Sequence, residues 1–163
     1  MIRKPLFAVM STALLIAASP CHASVKVRFV DPSHYTDAGG FGAASREATL
    51  STIRAYLEKL GRRLLAPCQH MTIEVLNIDL AGEYEPWRRN LDDVRIMRDI
   101  TPPSFRLRYV LTDKGKPTRR GEETITDMNY QMNLSARSSS DRYAYDKALL
   151  EDWFRRVVAL HGG

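Results

Sequence analysis

The chain has 163 residues, 44% of them hydrophobic, with 24 Lys+Arg against 19 Asp+Glu and a formal net charge of +5. That length suits one domain with a core of its own. Two of the positive charges, Arg3 and Lys4, belong to a leader. The +3 that remains is an ordinary solubility charge, not the concentrated basic face of a nucleic-acid-binding protein.

The leader opens the chain. Arg3 and Lys4 precede a charge-free apolar run from Leu6 to Ala18, and Ala18-Ser19-Pro20-Cys21-His22-Ala23 follows with small residues and a helix-breaking proline. This pattern predicts a cleavable signal peptide over residues 1–23, cut after Ala23, and export to the periplasm. The run is shorter than the roughly 20 residues a spanning helix needs. No later segment approaches that length, so the mature chain is expected to be soluble, a single domain over 24–163. A cut after Ala23 leaves Cys68 as the only mature cysteine. An internal bridge is then impossible, and the expected state is a small buried thiol, with an intermolecular disulfide or a reactive thiol as the other readings. A cysteine just after a short apolar core is also the place for lipidation, although Pro20 fits that pattern poorly.

Val25 to Val30 alternates apolar and basic residues, the period of a half-buried strand, and Asp31-Pro32 ends it. The glycine-bearing stretch 33–44 is an expected loop. Gly39-Gly40-Phe41-Gly42 lacks the lysine and spacing of a phosphate cradle. Ser45 is placed to cap a helix whose stripe is Leu50, Ile53, Leu57, Leu60 and Leu64, closed by Ala66-Pro67. Met71 to Leu80 predicts a central strand. Its apolar parity switches between Val75 and Leu76, which calls for a bulge near Leu76 or Asn77 or for cover on both faces. Residues 81–91 form an expected loop, and Asp93 to Arg98 a short strand.

Phe105, Leu107, Tyr109 and Leu111 alternate with Arg106, Arg108 and Val110 in the clearest strand of the chain. Thr112-Asp113-Lys114-Gly115 turns it into a partner strand over Glu122–Tyr130. Glu122 and Glu123 are placed to meet Arg106 and Arg108 across this hairpin. After the polar serines 138–140, Asp141 is expected to cap a last helix with Tyr145, Leu149, Trp153, Val157 and Leu160 on one face, broadened by Leu150 and Phe154. The expected fold class is α+β: an antiparallel sheet of four to five strands with two helices packed on it, in the order β-α-β-β-β-β-α.

Six segments carry a family resemblance: Val27-Arg28-Phe29-Val30-Asp31-Pro32, Tyr35-Thr36-Asp37, Asp79 to Trp87, Asp93 to Pro103, Thr126-Asp127-Met128-Asn129-Tyr130, and Leu150-Glu151-Asp152-Trp153-Phe154. Over Val25–Phe154 the chain resembles a family of small exported bacterial proteins known as a domain of unknown function, number three-zero-one-six. The resemblance implies an envelope location and one shared domain. It implies no activity and no catalytic residue.

The chemistry-bearing residues are sparse. His34, His70 and His161 lack the spacing of a zinc site. Asp79, Glu83, Glu85, Asp92, Asp93 and Asp99 could attract a hard cation, but Arg88, Arg89, Arg95 and Arg98 interleave with them and compete for the same carboxylates. No cofactor and no metal is therefore expected. No nucleophile–base motif is present, and the adjacent acids Glu122/Glu123 and Glu151/Asp152 point apart in a strand or a helix. Tyr84, Trp87, Arg88 and Arg89, within the stretch Asp79–Thr101, make the best candidate contact surface, because aromatics beside arginines anchor partners well. The expected function is a non-catalytic binding or scaffolding protein of the cell envelope, with an envelope protein or cell-wall component as partner. The alternatives are an envelope hydrolase using cleft carboxylates and an outer-membrane lipoprotein anchored at Cys21.

Overall fold

The computed structural model describes residues 22–39, 43–85 and 95–160. It is an α+β fold. Strands β1 (Ser24–Phe29), β2 (Gln69–Asp79), β5 (Ser104–Asp113) and β6 (Arg119–Thr126) form one sheet in the order β1-β2-β5-β6. Strands β3 (Glu83–Tyr84) and β4 (Arg95–Ile96) form a separate two-stranded sheet. The main sheet is mostly antiparallel, with one parallel pairing at its edge between β1 and β2. Helix α1 (Ala43–Leu64) connects those two strands, the length of connection that a parallel pair demands.

One face of the sheet is apolar because the strands alternate. Val27, Met71, Ile73, Val75, Phe105, Leu107, Tyr109, Leu111 and Ile125 are buried on it. β2 changes parity where the sequence does: its register with β5 shifts between Val75 and Asn77, so Val75 and Ile78 both reach the core. Leu50, Ile53, Leu57 and Leu60 of α1 cover this face, together with Leu150, Trp153, Phe154 and Val157 of α3 (Ala144–Ala159). Trp153 meets Tyr109 and Phe154 edge-on, with centroids 5.8 Å and 6.2 Å away. The opposite face is wet. There Glu122 binds Arg106 at 2.6 Å and Arg108 at 2.9 Å, and Glu74 binds Arg108 at 3.1 Å. Glu123 points the other way, to Arg156 at 3.5 Å.

Several elements differ in detail from the sequence reading. Helix α1 begins at Ala43, so Ser45 lies inside it, where its carbonyl accepts from the Thr49 hydroxyl at 3.1 Å. β6 stops at Thr126, and Tyr130 turns into a short 3-10 segment, buried, donating its hydroxyl to the Arg98 carbonyl at 2.6 Å. Helix α2 (Leu134–Arg137) precedes α3 and is capped by the Asn133 side chain. On α3 the buried stripe runs through Asp146 and Leu150, while Leu160, beyond the helix end, is 61% exposed. Cys68 is half-buried and disulfide-bonded, not a buried thiol. Among the described residues, no helix is long and apolar enough to cross a membrane.

Candidate functional site

The loop leaving β2 is held by one arginine. Arg95, on β4, donates from Nε to the Ala81 carbonyl at 3.0 Å and from Nη2 to the Leu80 carbonyl at 3.0 Å, and Nη2 also reaches the Gly82 carbonyl. The same nitrogen lies 2.7 Å from the Asp37 carboxylate, and the side chain is only 4% exposed. Gly82 makes this approach workable: its φ is +73°, and a Cβ there would stand 2.7 Å from the Ile96 carbonyl oxygen. Burying a guanidinium costs several kcal/mol unless its donors are satisfied. Here three carbonyls and a carboxylate provide partners, while Nη1 has none.

Tyr84 is packed between two guanidiniums. Arg95 lies 4.9 Å from its ring centroid and Arg142 5.8 Å, and Arg142 donates to its hydroxyl. Beneath them, Asp146 Oδ1 accepts from the Ala81 amide at 3.0 Å. Burial raises the pKa of the Asp146 carboxyl to about 6, against the pull of that amide and of Arg95.

Beside this hub opens a cleft of about 430 Å³, lined by Arg95, Met97, Arg137, Asp141, Arg142 and Tyr145 among others. The one carboxylate among its described lining residues, Asp141, is engaged by the Lys147 ammonium and the Tyr143 amide. Among the described residues no acid pairs with Arg137 or Arg142, so these two bring unmatched positive charge to the described walls of the cleft. A second cleft of about 430 Å³ shares its Asp141 wall and is bordered by Tyr56, Lys147 and Glu151. Glu151 is spoken for there. Partial burial works against its charge, yet hydrogen bonds from Arg63, Arg155 and Tyr56 bring its pKa down to about 2.

Of the sequence-predicted contact residues, Tyr84 stands at the hub; Trp87, Arg88 and Arg89 lie outside the described residues. The acidic stretch does not converge on a metal position. Glu85 is buried and paired with Arg98, and Asp79 has its pKa raised by burial and by the charge of Asp37. Asp92 and Asp93 lie outside the described residues. Among the described residues, no group of three His, Cys, Asp or Glu is placed to hold a metal ion. His34 pairs with Asp31 at 2.8 Å and His70 with the Ser24 hydroxyl at 2.7 Å; His161 lies outside the described residues. The carboxylates of Glu122 and Glu123 diverge to opposite faces of the sheet.

A family model described as a protein of unknown function, DUF3016, matches residues 23–156. The chain belongs to the DUF3016 family. The matched span holds the whole hub and the first cleft, so this architecture lies within the family's domain. No curated protein matches the chain. Four residues of the site, Asp37, Arg95, Arg142 and Asp146, were not singled out from sequence. The sequence suggests Arg95 as a local partner for neighbouring acids, whereas it reaches back to Asp37, far away in the chain. Asp146 carried a usable signal, an acid standing on the apolar spacing of α3.

Proposed function

We propose that this DUF3016 protein is an exported, non-catalytic binding protein of the cell envelope that holds an anionic group of an envelope component in the Arg95–Arg137–Arg142 cleft. The observation that carries this reading is the charge balance on the described walls: Arg137 and Arg142 meet no acid among the described residues, Arg95 is matched by Asp37, and the one carboxylate among the described lining residues, Asp141, is already engaged. Arginine suits the role because its planar donors meet carboxylates and phosphates two at a time. Of the predicted contact residues, Tyr84 touches Arg142, which lines this cleft. The raised carboxyl of Asp146 is the kind of group hydrolases use, but it is 2% exposed and aimed at a backbone amide, which supports a structural role.

The test is crosslinking in intact cells from a photoreactive side chain placed at Ser139, on the cleft wall. A discrete adduct should form, and Arg137→Glu should reduce it at least tenfold while the thermal transition moves by less than about 2 °C, as expected for an exposed substitution. Mass spectrometry of the adduct tells a protein from a cell-wall polymer. Equal adduct yield with and without the charge reversal overturns the reading.

A further inference from the structure

Cys68 occupies a position that its own backbone disfavours. Ala66-Pro67-Cys68-Gln69 is a β-turn closed by the Gln69 amide on the Ala66 carbonyl at 3.1 Å. Cys68 takes the third place with φ +70°, a left-handed conformation in which glycine or asparagine is the unstrained choice. A cysteine held there at a conformational cost points to a use for its sulfur, and Cys68 is disulfide-bonded. The chain has two cysteines, and the other is Cys21.

The strand register puts the start of β1 beside the turn that holds Cys68. β1 runs parallel to β2 with Ser24 opposite His70 and Val25 opposite Met71. Cys68 thus lies two residues before His70, the partner of Ser24, and Cys21 lies three residues before Ser24 in the chain. A bridge needs Cα atoms roughly 4.4 to 6.8 Å apart, and three residues of chain reach up to about 10 Å, enough to join the start of β1 to the turn before β2. Ala23, just before β1, already packs against the core, so the folded body extends upstream of Ser24.

We infer that the mature protein keeps Cys21, that a Cys21–Cys68 disulfide staples the edge strand β1 to the turn before β2, and that the leader is cut upstream of Cys21. Ala17-Ala18-Ser19 supplies small residues for that cut. The placement moves the boundary back from Ala23. The inference rests on the export reading, because such bridges persist in an oxidising compartment. The chemistry balances through exchange with a donor disulfide of a thiol oxidase. One thiolate attacks the donor and forms a mixed disulfide, the second thiolate displaces it, and the donor leaves as a dithiol. The two cysteines lose two protons and two electrons, which the donor takes up. A sulfur so engaged is not available for lipid, so the bridge also excludes the lipoprotein alternative.

The experiment expresses the full chain with its leader and reads the N-terminus and intact mass with and without reductant. The expected product begins between Ser19 and Cys21, gains two hydrogens on reduction, and takes up alkylating reagent only afterwards. A product beginning at Ser24, a lipid on Cys21, or two thiols alkylated without reduction each overturns the inference and leaves export standing. An untrimmed chain in the cytosol overturns the export reading itself. As a second readout, reductant should lower the Tm of the wild type by several degrees and leave that of Cys68→Ser unchanged. Cys68→Gly suits the turn and still loses the bridge, so its Tm should fall as well. A rise in Tm for Cys68→Gly overturns the inference.

Discussion

Asp146 stands where the spacing of α3 asks for an apolar side chain, one turn before Leu150 and two before Trp153. A pattern search that follows apolar letters passes over it and selects Tyr145 and Leu149, both only partly buried. The acid is tolerated because the Ala81 amide meets it, but its charged form is disfavoured by burial. The direction of the pH effect follows. Its folded pKa of about 6 lies above the ordinary 3.8, so its contribution is fully present below about pH 4 and is lost as pH rises through 6. Glu151 acts in reverse. Its folded pKa of about 2 lies below the ordinary 4.5, so its contribution is present above about pH 4.5 and is lost as pH falls through 2. Together they place the stability maximum near pH 4 to 5. Asp146→Asn keeps the oxygen that accepts from Ala81. It should flatten the decline between pH 4 and 7, by at most roughly 3 kcal/mol, in urea titrations across that range. An unchanged slope would show that the carboxyl titrates normally.

At the scale of elements, the two long helices and the core strands were readable because their hydrophobic periods of 3.6 and 2 are unambiguous. The bulge in β2 was readable for the same reason, since a parity switch leaves a mark in the letters. The direction of β1 was not, because alternation carries no sign for parallel or antiparallel pairing. The approach of α1 to β1 was also hidden. At Gly61 a Cβ would stand 2.1 Å from Val25 Cγ2 and 3.0 Å from its Cβ. Alanine gains about 1 kcal/mol over glycine in a helix interior, but overpacking costs about 1 to 3 kcal/mol, and with a stiff β-branched neighbour the clash should win. Gly61→Ala should therefore destabilise by about 1 to 2 kcal/mol. Adding Val25→Ala should restore part of the loss, and a thermal melt of the two variants and the pair checks this coupling. Purely additive effects would show that the helix simply shifts.

The molecule as a whole keeps its stability on one side of the sheet. The ladder of Glu74, Arg106, Arg108 and Glu122 on the other side is solvent-facing, and such pairs contribute from nothing to about 1 kcal/mol each. The covered side, with Trp153 and the aliphatic residues of two helices, carries the fold. This division was visible in the sequence as alternation of apolar residues with arginines. The candidate site was visible only in part. Tyr84 was singled out as an aromatic among arginines and does sit between two of them. Its partners Arg95 and Arg142 come from positions joined only by folding, which local charge patterning does not register.

Arg95 also sets how this region opens. The amides of Asp37, Leu80, Ala81 and Gly82 donate to Ile78, Asp37, Asp146 and Thr101, which are brought together from four stretches of chain, and the guanidinium sits among all of them. No one of these links can part without loosening its neighbours. Deuterium should therefore enter the four amides at a common rate as one cooperative unit, slower than the hairpin tip at Lys114–Lys116. Arg95→Lys retains the charge but loses the fork, and should speed all four together by at least tenfold. Four unrelated rates would mean that the loop breathes residue by residue.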